Sequence, residues 1–287
     1  MRTSSINLAV CLLALAALTG AIWYAALEEE QNELRVSFLD VGQGDAIYIE
    51  APGGRRVLID GGSGPAVLRA LGDKMSWWDR SLDLVVATHP DNDHIGGLID
   101  VLERYRVSRV VHSSVQGETD VSERFRKLSA LSASVAQRGQ IVELGGGARL
   151  EILFPDREVP HVEANTGCVV ARLVYGETAF MLSCDAPSAV EEYLVRLAST
   201  PLGTSGGALK SNVLKAGHHG SKTSSSPLFL GYVDPEYAVF SRGCDNTYGH
   251  PSPEVVATYA RFEIPTFDTC TEGTITFVSD GQEVRRQ

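Results

Sequence analysis

The chain opens with a stretch that is apolar at nearly every position, residues 6–27. That is long enough for a helix to cross a bilayer, which takes about 20 residues. Arg2 precedes the stretch and Glu28, Glu29 and Glu30 follow it. This polarity places the N-terminus inside and the rest of the chain outside. Residues 1–29 are therefore expected to be a membrane anchor. If they are instead a signal peptide, Thr19-Gly20-Ala21 offers a cleavage point and the remainder is secreted. Residues 30–287 form the exported domain in either case.

After a polar linker at 28–34, the apolar positions fall into short β-type runs at 35–41, 46–50 and 56–59, each ended by glycine, aspartate or proline. Residues 65–75 carry apolar positions at helical spacing. The run 82–88 is apolar but for Asp83 and the closing Thr88, and short, the pattern of a strand buried on both faces. Helices are predicted at 95–105 and 119–134, the second capped by Thr119 or Asp120, with a strand at 109–112 between them. A second series follows. Strands at 140–144 and 148–154 flank Gly145-Gly146-Gly147, and strands at 168–175 and 179–183 flank Gly176-Glu177. Then come a helix at 187–197, strands at 212–216 and 238–240, a helix at 253–262, and strands at 265–267 and 274–278. Strands lead, helices alternate, and the pattern recurs. This predicts an α/β protein with two sheets face to face and helices on their outer surfaces.

With 44% hydrophobic residues in 287, the chain can bury a core. Its formal net charge is −11, from 36 acidic and 25 basic residues, which argues against a module that coats nucleic acid by charge alone. An enzyme that meets phosphate through bound cations stays open, because cations reverse the local field. Beyond the N-terminal stretch lie Cys168, Cys184, Cys244 and Cys270. An even count in an exported domain permits disulfides. Cys244 with Cys270 is the favoured pair, since each ends a strand near the same edge; four buried thiols are the alternative.

The chemistry concentrates in histidine, of which the chain has seven. Five fall in three compact places: His89 and His94, His218 and His219, and His250. The run Thr88-His89-Pro90-Asp91-Asn92-Asp93-His94 follows a buried strand and precedes a helix, at the strand end where α/β folds place ligands. Four potential ligands, His89, Asp91, Asp93 and His94, crowd into six positions. Two mutually repelling carboxylates are explained by a cation, whereas helix capping explains one aspartate and neither histidine.

These motifs resemble the metallo-β-lactamase-fold hydrolases, whose His-x-His-x-Asp-His signature appears here with Asp91 at the middle position. The variant with a middle aspartate, followed by Gly96-Gly97, is similar to the extracellular hydrolase domain of the ComEC competence proteins. Other landmarks agree in order: Phe38 to Ala46, Asp60-Gly61-Gly62, Leu182-Ser183-Cys184-Asp185 with Cys184 in place of glycine, Lys215 to Ser221, and Asn246 to Pro251. The resemblance spans residues 35–279 and implies a four-layer αββα sandwich. It implies that Asp93 and His94 hold one metal and that His89 and Asp91 serve another. It also implies that Asp185 bridges both metals and that Asp60 orients a ligand histidine. The further histidine ligand usual in the fold has no match in a motif, since His112 and His161 both stand outside one; Asn165 occupies that region, where the ComEC-like family has asparagine, and is expected to contact the metal water or the substrate. Of the pair at the next strand end, His219 is expected as ligand and His218 as packing, because neighbours on a strand point apart. Lys215 and Ser221 are expected to hold substrate phosphate, with Ser224 to Ser226 a helix-start loop or a further contact. Asp93 and His250 are the expected catalytic groups, His250 as a last ligand or as a proton donor to the leaving group.

The expected reaction is phosphodiester hydrolysis by a metal-bound hydroxide, with Mn or Zn as the ion, one or two in number, and Mg an option that the carboxylate-rich set supports. The expected substrate is DNA or a nucleotide phosphodiester, with single-stranded DNA among the candidates, and the sequence shows no protein partner. The alternatives are hydrolysis of small esters, lactones or β-lactams, and a non-catalytic membrane-tethered binding module.

Overall fold

The computed structural model describes residues 32–76, 78–199 and 209–287, with residues 12, 14–20 and 23 of the N-terminal stretch. The expected anchor at residues 6–27 lies mostly outside the described residues. No helix among those described is long and apolar enough to cross a membrane.

In the first half, β1 (Leu34–Phe38), β2 (Ile47–Glu50) and β3 (Arg56–Ile59) precede α1 (Ala66–Lys74) and β4 (Ser81–Leu82). Next come β5 (Leu84–Ala87), α2 (Asn92–Arg104), β6 (Arg106–Val107), β7 (Val110–His112), α3 (Asp120–Ser129) and β8 (Ala133–Val135). The second half contains β9 (Ile141–Gly145), β10 (Ala148–Phe154), β11 (Val170–Tyr175), β12 (Thr178–Leu182), α4 (Ser188–Ala198) and β13 (Val213–Lys215). After these come α5 (Pro227–Val233), β14 (Tyr237–Phe240), α6 (Pro253–Arg261), β15 (Thr266–Asp268), α7 (Thr269–Glu272), β16 (Ile275–Ser279) and β17 (Val284–Arg286).

One eight-stranded sheet runs β17-β16-β1-β2-β3-β5-β7-β8, and a seven-stranded sheet runs β15-β14-β13-β12-β11-β10-β9. The last two strands thus return to the first sheet, beside β1.

Alternation along the strands builds three apolar layers. On β1, β2 and β3, Val36, Phe38, Ile47, Ile49, Val57 and Ile59 face the second sheet, meeting Leu150, Leu173, Phe180 and Val239. Tyr48 and Leu58 on the opposite face pack with Val67, Leu71, Ile95 and Leu98 of α1 and α2. Met181 and Leu214 turn the same way on the second sheet, against Val190, Leu194, Phe229 and Tyr259 of α4, α5 and α6. This is the αββα sandwich. Each fully buried leucine or phenylalanine contributes roughly 1.5–3 kcal/mol.

Two details depart from the sequence reading. The helix expected at 119–134 stops at Ser129, and residues 133–135 pair instead with β7 as an edge strand. Thr119 caps that helix, accepting from the Ser122 amide. Leu131, within the range expected to be helical, is fully exposed. The helix expected from residue 95 starts earlier, at Asn92, so Asp93 and His94 sit in its first turn and not in a loop. Ser226 caps α5 through the Phe229 amide, and Glu191 accepts the backbone amides of Ser225 and Ser226. The serine run is therefore structural.

The Cys244–Cys270 disulfide is present, at the ends of the adjacent parallel strands β14 and β15, while Cys168 and Cys184 are free and buried.

Candidate metal centre

The centre lies at the carboxyl ends of the central strands, where the two sheets meet. β5 ends at Ala87, and Thr88 and His89 carry the chain across to α2. Asp91 holds the N-cap position of that helix in extended conformation, yet its side chain makes no capping bond. Its carboxylate turns instead toward His89, with Oδ2 3.5 Å from Nε2. The capping explanation for these aspartates therefore fails.

Close backbone packing fixes the first turn of α2. Gly44 (φ +114°) lies so near that a Cβ there would fall 1.8 Å from the Asp93 carbonyl oxygen. A Cβ on Gly97 would fall 2.0 Å from the Gly61 carbonyl oxygen. Only glycine tolerates either approach, which explains Gly44 before Asp45 and Gly97 after His94.

Asp60, fully buried, accepts three hydrogen bonds. They come from the Thr88 amide (2.8 Å), the Thr88 hydroxyl (2.6 Å) and His94 Nδ1 (2.8 Å). The last fixes the ring of His94 and leaves Nε2 facing Asp185 Oδ2 at 3.3 Å. His219 is held likewise. Its Nδ1 donates to the Ser241 carbonyl at 2.7 Å, and its Nε2 lies 3.2 Å from Asp185 Oδ2 and 3.5 Å from Asp93 Oδ2. His89 has its Nδ1 3.1 Å from the Thr88 hydroxyl and 3.3 Å from Cys184 Sγ.

The pattern is common to all three rings. Nδ1 is anchored inside the protein, while the Nε2 atoms of His89, His94 and His219 are buried with no hydrogen-bond partner. Burying such atoms unpaired is costly. Imidazoles anchored through one nitrogen with the other aimed among carboxylates are the arrangement of metal ligands. The residues therefore fit a divalent cation. Asp93, His94, His219 and Asp185 converge on one position, and His89 with Asp91 stands beside it, the rings of His89 and His94 being 4.0 Å apart. Asp45, Asp60 and His94 also cluster. Their facing atoms, however, already serve the Asp60–His94 hydrogen bond and the Asp45–Lys215 ion pair, so they brace the site.

The electrostatics follow from this packing. Burial opposes charge on His94 and His219, but Asp185 outweighs it, assisted by Asp60 on His94 and Asp45 on His219, and raises both well above the usual imidazole range. Burial likewise opposes ionisation of Asp45; Lys215 and His219 overcome it and hold the carboxyl down at about 2. His218 and His250 shift downward, mainly through burial, with neighbouring histidines adding to it for His250.

Three expected roles change. Lys215, expected at substrate phosphate, is wholly buried, with Nζ 2.5 Å from Asp45, 3.1 Å from Asp185 and 2.8 Å from the Cys184 carbonyl. It braces carboxylates and cannot reach substrate. Ser221 is buried as well, and its hydroxyl pairs with that of Thr223 at 3.0 Å. His218 was expected to point away from His219. Both residues instead adopt left-handed backbone (φ +47° and +54°) in a tight turn, so both rings approach Asp185, His218 Nε2 at 3.7 Å.

An open cleft of about 170 Å³ exposes the centre, lined by Gln43, Asp91, Asp93, Asp185, His218, His219, Tyr248 and His250. Tyr248 is 70% exposed and stacks on His250, with rings 5.8 Å apart. Asn165 lies in a helical turn outside this lining, with a buried, unpartnered Oδ1. His112 bonds the Ser113 carbonyl and His161 is exposed on a loop, so neither joins the cluster.

The sequence reading missed Asp45, the Cys184 contact to His89, and the rim residues Gln43 and Tyr248. A signal existed for Asp45, an acid between Gly44 and an apolar strand. Cys184 carries φ +51°, which explains glycine at that place in the motif it resembles.

Comparison with known proteins agrees with this geometry. A family model described as "Metallo-beta-lactamase superfamily" matches residues 39–243. The chain is 33% identical over 240 residues to "Competence protein ComA" of Neisseria gonorrhoeae, covering 83% of this chain and 31% of that protein. It is 27% identical over 267 residues to "ComE operon protein 3" of Bacillus subtilis (86% and 33% covered), and 27% identical over 260 residues to "Recombination protein 2" of Haemophilus influenzae (88% and 30%). The chain thus spans about a third of the length of these curated relatives. Among solved structures, the metallo-β-lactamase fold protein YhfI of Bacillus subtilis superposes with TM-score 0.51 at 14% identity, covering 84% of this chain and 98% of that one. With two buried imidazoles aimed at one carboxylate on an αββα sandwich, and a family match over most of its length, this chain belongs to the metallo-beta-lactamase superfamily.

Proposed function

We propose that the domain is a metal-dependent phosphodiesterase acting on nucleic acid, with single-stranded DNA as the foremost substrate. The observation that carries this reading is the convergence of unpartnered Nε2 atoms from His94 and His219 on Asp93 and Asp185, with that of His89 beside them against Asp91, next to an open polar cleft. Relatives named as competence and recombination proteins support a nucleic-acid substrate.

Asp93, His94, His219 and Asp185 would hold one cation, and His89 with Asp91 a second. A cation held there supplies a Lewis acid and makes a nucleophile available from water near neutral pH. The protein's own part is placement. Asp60, the Ser241 carbonyl and Cys184 set the three rings, and Lys215 steadies Asp185 from below. His218, Tyr248 and His250 form the rim over which substrate enters, and His250 acts as proton donor to the leaving oxygen. The carboxylate-rich set, with Asp91 where histidine is usual, favours Mn²⁺ or Mg²⁺ over Zn²⁺.

The test is hydrolysis of single-stranded DNA and bis-p-nitrophenyl phosphate by the purified protein under Mn²⁺, Mg²⁺ and Zn²⁺, beside nitrocefin and lactone substrates. Asp93→Ala and Asp185→Ala are expected to lose activity by at least about a hundredfold. Wild-type rates in both variants, or turnover of lactones or nitrocefin alone, would overturn the reading. Anchorage through residues 6–27 with the domain outside the cytoplasm belongs to the same proposal; recovery of the full-length chain in the cytosolic fraction would refute it.

A further inference from the structure

A second cavity, of about 300 Å³, has His89 in its wall. It falls at the lower end of the range of small-molecule sites, roughly 300–1,000 Å³. Its walls are chiefly apolar: Pro90, Val115, Phe125 and Val135. Arg126 and Glu158, both exposed, add polar groups to its lining. The two spaces are neighbours along one tripeptide, because His89 and Pro90 line the cavity while Asp91 lines the cleft. The His89 Nε2 atom, buried and unpartnered, lies 3.5 Å from Asp91 at this junction.

The juxtaposition selects the occupant. With a cation held by Asp93 and Asp185, a ligand that fills both spaces carries an anionic group for the cleft and, one short link away, a flat and mostly apolar group with polar edges. Apolar walls receive the faces of such a group, and Arg126 and Glu158 offer a donor and an acceptor to its rim. We propose that the cavity is a nucleobase subsite, which takes one base of the strand while the adjoining phosphate sits in the cleft. This rests on the phosphodiesterase reading above and adds to it that the base beside the scissile phosphate leaves its stack, as enzymes acting at a single nucleotide arrange.

The test uses two substrates with one leaving group, thymidine 5′-(p-nitrophenyl phosphate) and methyl p-nitrophenyl phosphate, together with the quenching of 2-aminopurine nucleoside 5′-monophosphate fluorescence on binding. Val135→Trp fills the cavity from the half-buried edge strand β8. Arg126→Ala alters its lining at an exposed position, so folding is preserved if Val135→Trp misfolds. Each variant is expected to lower kcat/KM for the nucleoside ester by about tenfold and to weaken 2-aminopurine quenching similarly. The methyl ester should stay within about twofold of wild type. Equal loss on both esters, or no loss on either together with unchanged quenching, overturns the subsite. Equal kcat/KM for the two esters in the wild-type protein overturns it as well. If wild type hydrolyses neither ester yet quenches 2-aminopurine in a Val135-dependent way, the phosphodiesterase reading fails and the subsite stands.

Discussion

Asp60→Asn offers a demanding test of how the metal centre is built. The carboxylate of Asp60 accepts from the Thr88 amide through Oδ1 at 2.8 Å, and from the Thr88 hydroxyl and His94 Nδ1 through Oδ2 at 2.6 and 2.8 Å. Asparagine has nearly the same shape. Its oxygen must stay with the Thr88 amide, since the reverse orientation sets two donors against each other. The new amide nitrogen then faces His94 Nδ1 as a donor, so Nδ1 must give up its proton. A ring that ligates a metal is neutral, so its one proton would then have to sit on Nε2, the nitrogen that faces Asp185 at 3.3 Å and would hold the metal. The ligand tautomer is lost although no ligand has been removed. One charge-assisted bond is replaced by a weaker neutral one, so the metal-free protein should lose about 1–2 kcal/mol. Metal affinity should fall about 10- to 100-fold. Competition of the protein with a chromophoric chelator for Mn²⁺ or Zn²⁺ measures the affinity. Long-range ¹H–¹⁵N correlation spectra of the imidazole nitrogens report the tautomer. Affinity within about twofold of wild type, or an unchanged Nδ1–H tautomer at His94, refutes the argument.

Three further outcomes are expected. Lys215→Met strands the buried carboxylates of Asp45 and Asp185, and should cost about 3–5 kcal/mol in denaturant melts, less when Mn²⁺ is present to offset the Asp185 charge; a loss under about 1 kcal/mol would contradict the bracing role. Asp45, held down at about 2 against 3.8 in its ordinary state, contributes stability that is complete above pH 3.8 and is lost as pH falls through about 2. That is about 2 kcal/mol, and Asp45→Asn should flatten this acid limb in melts between pH 5 and pH 2. Cys184→Gly relieves a left-handed backbone at φ +51°, worth about 1 kcal/mol, and returns most of it as freedom of the unfolded chain. Thermal stability should therefore move little, while Co²⁺ titration should show an affinity loss of about tenfold at the site holding His89; unchanged binding would show that the thiol has no positioning role.

Much of this protein was legible in one dimension because its signals are local. Runs such as 82–88, apolar but for Asp83 and the closing Thr88, announce a strand covered on both faces, and β5 is packed between the inter-sheet core and the α1–α3 layer. The crowding of His89, Asp91, Asp93 and His94 announced a cation, since no core or cap needs that combination. The disulfide was readable because Cys244 and Cys270 follow strands that proved to be neighbours. What escaped the sequence depended on long-range packing or on backbone conformation. Asp45 joins Lys215 across 170 positions, and nothing near either residue marks the lysine as buried. His218 and His219 reach the same carboxylate because a turn at positive φ replaces the extended backbone that periodicity assumes. The edge strand at 133–135 exists because β7 leaves an open ladder for it, a partner the sequence does not contain. The chain thus determines which residues carry the chemistry. The fold decides which of them face the cleft, because burial and ion pairing turn groups such as Lys215 inward and aim the imidazole Nε2 atoms outward.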